Sequence, residues 1–325
     1  MTKTGWHDVV HDNQCAVAPP KLEIEQHLTF LSFSPDGALL LGSSSLADRI
    51  QTGSIWMFSE FELPLRASNC TAKRVCDSPV TSGAFVTSDR LVVAEHNGLL
   101  VSYQLCECDS DSDEASMNFI PIDFNNVHDS IISSVSVCCQ RETIITGGDD
   151  RRINLLDLEG AVKTSYFPAH SRAVASVAAS PEHSSVFASC SMDRSVLLWD
   201  TRLPRPAKAI VSGDCGYSAL AWLDDRQIAV GSEMGAVHTY DVRTVQPLAK
   251  RHLHEMPIHK LASRSGFIAS CADSSEIQVW QPDLDKVLSL KTQHTMFARD
   301  VAWHPKKPDL FSCGFDGAVF SYRID

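Results

Sequence analysis

Between Val174 and Asp200 apolar and polar residues alternate in three short runs separated by turn-forming residues. Val174-Ala-Ser-Val177 leads to Ser180-Pro181, Val186-Phe-Ala-Ser189 leads to Met192-Asp-Arg194, and Ser195-Val-Leu-Leu-Trp-Asp200 closes the unit. Period-two alternation bounded by such residues predicts strand, turn, strand, turn, strand. The layout recurs along the chain. With Trp199 as anchor, the equivalent apolar or aromatic positions are Phe58, Tyr103, Leu156, Trp199, Tyr240, Trp280 and Tyr322, separated by 45, 53, 43, 41, 40 and 42 residues. Six residues before each anchor lies a turn position: Thr52, Asn97, Asp150, Asp193, Met234, Ser274 and Asp316.

Seven units with a period in the low forties predict an all-β fold, a seven-bladed WD40 β-propeller. Each short antiparallel sheet has two apolar faces that it cannot bury alone, and radial stacking around a channel buries both. Only Trp199-Asp200 is a literal Trp-Asp pair, so the period carries the assignment. The last unit ends on its third strand, Phe320 to Asp325. Its fourth strand is therefore expected from about Leu22 to His27, an N-terminal strand that closes the ring in the last blade. Residues 1–21 read as a flexible N-terminal tail and 22–325 as one propeller, with an acidic loop over 106–116 between blades two and three.

Composition narrows the chemistry. The chain has 325 residues, 44% of them hydrophobic, and a formal net charge of −12. A field of that sign repels phosphate backbones and attracts basic partners, and no basic stripe interleaved with aromatics is present. Direct nucleic-acid binding is not expected, nor is a membrane span, since no apolar run approaches 18 residues. The eleven cysteines are odd in number and scattered. They read as reduced thiols of a cytoplasmic and nuclear protein.

His170, Ser189, Asp193 and Trp199 have the spacing of a hydrogen-bonded tetrad, with partial echoes at His128/Asp150 and His294/Asp316. A buried chain of this kind holds only when every member is satisfied. The same residue types could form a hydrolase triad, but no nucleophile elbow accompanies them, and a repeated constellation is scaffold. His7, His11 and Cys15 share helical spacing but lie in a polar terminal segment, and His252, His254 and His259 read as solvated loop histidines. Asp109, Asp111 and Asp113 mimic the start of a calcium loop, yet the twelfth position is Ile120 rather than a bidentate Glu. No metal, no cofactor and no catalytic residue is expected. Ser110 and Ser112, flanked by acids, are candidate phosphorylation sites.

In this architecture the residues just before the turn positions project from one face: Gln51, His96, Asp149, Met192, Glu233, Asp273 and Phe315. Asp149, Glu233 and Asp273 make an acidic face for a basic substrate. The lengthened loop from Ser43 to Gly53 projects on the same side, where insertions in repeat proteins often mark the binding surface.

Four stretches go further than a generic repeat. They are Ser34 to Arg49 continuing through Gly53-Ser-Ile-Trp-Met-Phe58, His128 to Val137, Ala175 to Ser191 with Leu198-Trp-Asp-Thr-Arg202, and Ala298-Arg-Asp-Val-Ala-Trp-His-Pro305. They resemble the methylosome WD-repeat protein family, across essentially all seven blades. The resemblance implies a non-catalytic partner of the type II (symmetric) protein arginine methyltransferase, hetero-oligomeric with the enzyme, which helps present arginine-rich substrates such as histone tails and Sm proteins. It makes Asp48, Arg49 and Gln51 of the blade-one loop candidate enzyme contacts. Gln51 stands where the family often has a large aromatic anchor, which shifts the expected contact toward Phe315 and Phe297. The competing expectation is a WD-repeat adaptor or substrate receptor of another complex, such as a ubiquitin ligase.

Overall fold

The computed structural model describes residues 27–45, 51–107, 117–138, 143–203, 208–281, 286–291 and 293–324. Seven antiparallel sheets follow one another along the chain, six with four strands and the last with three among the described residues. Within each blade the strands pair in sequence order. The innermost strands are His27–Phe33, Val80–Phe85, Ile132–Val137, Val174–Ala179, Tyr217–Trp222, Ile258–Arg264 and Ala298–Trp303. Each packs on the innermost strand of the next blade, and Ala298–Trp303 meets His27–Phe33, so the ring is closed. This is the seven-bladed propeller that the period predicts.

The apolar core is divided as radial stacking requires. Seven clusters of buried side chains lie one between each pair of neighbouring blades. Blades one and two share Phe30, Ile55, Val93 and Tyr103, and blades three and four share Ile145, Tyr166, Phe187 and Trp199. Every sheet is thus apolar on both faces, and a fully buried Leu, Ile or Phe contributes about 1.5–3 kcal/mol relative to exposure. The anchors sit at matching registers: Trp199 opposite Phe187, Tyr240 opposite Ile228, Trp280 opposite Ile268 and Phe58 opposite Leu39.

One irregularity repeats in all seven innermost strands. The register slips once near the start of each, leaving Thr29, Thr81, Ser133, Ala175, Ser218, His259 and Arg299 without an opposite residue. A bulge of this kind re-aims its side chain. Here four hydroxyls are turned onto the next blade: Thr29 donates to the Val80 carbonyl at 2.9 Å, Thr81 to Ile132 at 2.6 Å, Ser218 to Ile258 at 2.6 Å, and Ser133 to Val174. The following residue accepts in return. The Ser82 hydroxyl takes the Val135 N–H at 3.3 Å, Ser134 takes Val177 at 3.2 Å, and the Asp300 carboxylate takes Leu31 at 3.0 Å. The last of these joins blade seven to blade one.

Two expectations about loops change. Residues 108–116 connect strand Leu99–Glu107 to strand Met117–Asn126, which belong to the same sheet. The acidic segment therefore lies within blade two rather than between blades two and three, and Cys106 and Glu107 are part of its third strand. Thr52 opens strand Thr52–Phe58 instead of occupying a turn, because the blade-one connection is longer than the others. The N-terminal tail, residues 22–26 of the expected closing strand, and Asp48, Arg49, Ser110 and Ser112 lie outside the described residues, while His27 opens the innermost strand of blade one.

Candidate protein-binding face

The turn between second and third strands is fastened to the loop that leads into the same blade. In five blades the residue before the turn position donates its N–H to the carbonyl just ahead of the innermost strand. These are His96 to Pro79 at 2.9 Å, Asp149 to Ile131 at 2.9 Å, Met192 to Ala173 at 3.3 Å, Glu233 to Gly216 at 3.0 Å and Phe315 to Phe297 at 3.0 Å. The turns and leading loops therefore form one rim around one mouth of the channel.

Below the rim, histidines tie the loops to the blades. In blade four His170 Nδ1 lies 3.0 Å from Asp193, His170 Nε2 lies 2.7 Å from the Ser189 hydroxyl, and the Trp199 indole N–H donates to Ser189 at 2.8 Å. Blade three repeats this with His128, Asp150 at 2.9 Å and Thr146 at 2.8 Å. Blade seven uses His294, Asp316 at 3.0 Å and Ser312 at 2.8 Å. Blade six corrects the loop-histidine reading. His254 is buried and bonded to the Ser270 hydroxyl at 2.8 Å, and His259 lies in the innermost strand, 2.6 Å from Asp273. The sequence signal that identifies His254 is its register sixteen residues before Ser270, close to the nineteen between His170 and Ser189. Blade one has the period but, among its described residues, no such histidine. There Ser43 bonds Ser54 at 2.7 Å and the Trp56 indole donates to Ser54 at 2.7 Å.

These burials carry a pH dependence. Desolvation, aided by His252, pushes His254 down to about 4. Burial also lowers His170, against the pull of Asp193. In Asp193 itself burial raises the carboxyl, but bonds from Ser195 and Ser171 with His170 alongside outweigh it and hold the acid below its usual range. Between pH 6.5 and about 4 the unfolded chain takes up a proton that folded His254 refuses, so acidification destabilises the fold. About 1 kcal/mol is expected to be lost through His254 alone by about pH 5.5. Thermal melting at falling pH should show the decline, and His254→Gln should flatten it.

On the rim the candidate residues fall into three settings. Gln51 and Asp149 are exposed, and burial of part of the Asp149 carboxyl raises it while His96 opposes the shift. Glu233 turns back on its own chain, accepting the Gly216 N–H at 2.8 Å. Asp273, His259, Arg299 and Phe315 form one cluster: Arg299 lies 2.8 Å from His259 and 3.6 Å from Asp273, and its guanidinium covers the Phe315 ring at 5.0 Å. His27 also meets the Phe315 ring, edge to face at 5.0 Å. Two of the three rim acids are thus engaged within the chain. The leading loops supply exposed Asp77, Asp214 and Glu255, which the ring positions alone do not reveal. Phe297 and Met296 are exposed apolar residues of the rim beside blade seven, at 43% and 44%, and Met234 and Met256 are exposed on its blade-five and blade-six stretch. Among the described residues there is no group of His, Cys, Asp and Glu able to hold a metal ion, and no helix long and apolar enough to cross a membrane.

A fold of this regularity has relatives. Residues 134–296, half the chain, match the family model described as nucleolar protein 10-like, N-terminal domain, a β-propeller. The chain belongs to this β-propeller family. Over nearly its full length the propeller is also similar to methylosome protein WDR77 of Xenopus laevis, with 29% identity over 315 residues, 94% of this chain and 92% of that protein. Shorter matches reach nucleolar protein 10 of Danio rerio, at 29% identity over 43% of this chain and 21% of that protein. A third is the guanine nucleotide-binding protein β subunit of Saccharomyces cerevisiae, at 30% over 31% of this chain and 25% of that protein. The similarity to this methylosome protein runs end to end through both chains, and it supports a propeller that serves as a scaffold rather than an enzyme.

Proposed function

We propose that this propeller is the WD-repeat subunit of a methylosome, holding a type II protein arginine methyltransferase and helping to present arginine-rich substrates such as histone tails and Sm proteins, in the cytoplasm and the nucleus. The observation that carries the reading is the similarity to methylosome protein WDR77 along both chains. The rim supports it physically. Met296 and Phe297 offer exposed apolar contact beside the Arg299–Phe315 stack, and interface energy concentrates in such aromatic and arginine anchors. Exposed Asp77, Asp149, Asp214 and Glu255, on a chain of net charge −12, favour the approach of basic tails.

Phe297→Ala tests the contact, because an exposed side chain is removed without opening the core. The variant should melt as the parent does and bind the methyltransferase at least about tenfold more weakly. Gln51→Trp, which supplies an aromatic on the blade-one loop, should strengthen binding. Affinity capture of the methyltransferase by each variant, quantified by titration, reads both. Unchanged capture by both variants would remove this face from the contact, and recovery of ubiquitin-ligase subunits without a methyltransferase would replace the assignment.

A further inference from the structure

In five blades the turn between second and third strands places a left-handed residue just after the turn position. Blades two, five and seven place glycine there: Gly98 at φ +87°, Gly235 at +76° and Gly317 at +72°. Blades three and four place Arg151 at +69° and Arg194 at +72°. An L-residue pays for that conformation and glycine does not.

The leading loops explain why arginine fits in these two blades. The Gly98 carbonyl receives two N–H groups, from Val127 and His128, and the Gly235 carbonyl receives Leu253 and His254. The loop is drawn so close that a Cβ on Gly98 or Gly235 would overlap the carbonyl oxygen of His128 or His254. Among the described residues Arg151 receives only Ala169, at 3.0 Å, and Arg194 only Gly213, at 2.8 Å. The looser loops accommodate a side chain. Nothing in the packing demands a cation there.

The two arginines belong to one surface. The loop from Phe167 to Ala173 is bonded to blade three through Ala169 and Arg151, and to the blade-four turn through Ser171 with Asp193 and through Ala173 with Met192. It contributes exposed Arg172 and Phe167, the latter 54% exposed. Two guanidiniums lie on the Phe167 ring, Arg152 at 4.5 Å and Arg151 at 5.7 Å. Arg152 is committed to Asp129 at 3.2 Å, whereas no ion pair to Arg151, Arg172 or Arg194 is found among the described residues. Asp150 and Asp193, the acids nearest in sequence, are turned inward onto His128 and His170.

We propose that this arginine surface over blades three and four docks an acidic segment of a partner protein, with carboxylates on Arg151, Arg172 and Arg194 and an apolar side chain against Phe167. Arginine forks pair with carboxylates in two parallel bonds, and an exposed aromatic already covered by guanidinium is a ready platform. The chain's overall negative charge disfavours a long polyanion and leaves a short acidic segment as the fitting occupant. The site is separate from the methyltransferase contact around Phe297 and does not depend on it.

The test exploits the backbone. The double variant Arg151→Gly/Arg194→Gly gives both positions the residue that blades two, five and seven use, so its melting temperature should equal or exceed that of the parent. Lys306→Ser/Lys307→Ser removes the same charge from an exposed loop outside this surface and serves as control. The probe is a fluorescein-labelled nonapeptide of aspartate and glutamate around one leucine, followed by anisotropy at low ionic strength. Parent and control should bind alike, and the glycine variant at least tenfold more weakly; Arg172→Ser should weaken binding on its own if the double variant fails to fold. Absence of peptide binding by the parent, equal binding by all three proteins, or tighter arginine-dependent binding of an oligothymidylate than of the peptide would overturn the proposal.

Discussion

Replacing Asp300 by alanine is expected to loosen the ring where its two ends meet, lowering stability by about 3 kcal/mol. The Asp300 carboxylate is fully enclosed and accepts N–H groups from Leu31 at 3.0 Å and Val301 at 2.7 Å, with the Lys260 ammonium 3.7 Å away. Alanine leaves two buried donors unpaired, and each costs about 1–3 kcal/mol. Part of that loss is offset, because burial raises the Asp300 carboxyl and its ionised form is itself a burden. With the folded value raised above the ordinary 3.8, that burden grows as pH rises from there to the folded value, so the alanine defect should be largest below about pH 4 and shrink as pH rises. Ser82 and Ser134 hold the same place in blades two and three and accept the corresponding N–H. Asp300→Ser should therefore recover most of the loss. Urea unfolding of parent, alanine and serine variants at two pH values reads the whole pattern, and an alanine variant as stable as the parent would show that the Asp300 bonds do not hold the ring closed.

Trp199→Ala should cost about 3–5 kcal/mol and lower the melting temperature by about 10 °C. The indole is 1% exposed, lies parallel to Phe187 at 5.6 Å, and touches Tyr166 at 4.7 Å. Its removal opens a cavity between blades three and four and leaves Ser189 with only His170 as partner. Trp199→Phe keeps most of the volume and loses chiefly the 2.8 Å bond to Ser189, a loss of about 1 kcal/mol. Calorimetric melting separates the two. Equal effects would mean that the hydrogen bond, rather than packing, dominates at this anchor.

The propeller is legible in the chain because its period is set by radial packing. Any large apolar residue fills the anchor between blades, so Leu156 and Phe58 keep the spacing although neither resembles Trp199. The tetrad is legible in blade four because all four residue types are present. His254 escapes that reading because blade six has Ser274 rather than an aspartate in its turn, and its one visible partner, Ser270, is an unremarkable strand serine. The bulges are invisible in sequence. Thr29, Thr81, Ser133, Ala175, Ser218, His259 and Arg299 share a backbone position, but only four of them share a hydroxyl. The rim acids show the converse limit: Glu233 and Asp273 stand at the right sequence positions, and only the fold reveals that Gly216, His259 and Arg299 already engage them.

The left-handed arginines teach a related lesson. Arg151 and Arg194 look like ordinary turn residues in the chain. Their meaning depends on φ, on the number of hydrogen bonds their carbonyls receive, and on the glycines that solve the same turn in other blades.

The central claim is that the propeller is the scaffold subunit of an arginine methyltransferase complex. Co-expression with the type II methyltransferase tests it most directly, with native mass of the purified complex and symmetric dimethylation of a histone-tail peptide measured on the same sample. The expected result is a stable hetero-oligomer whose methylation rate exceeds that of the enzyme alone, while the propeller by itself transfers no methyl group. Separate elution of the two chains, with the enzyme's rate unchanged by the propeller, would contradict it.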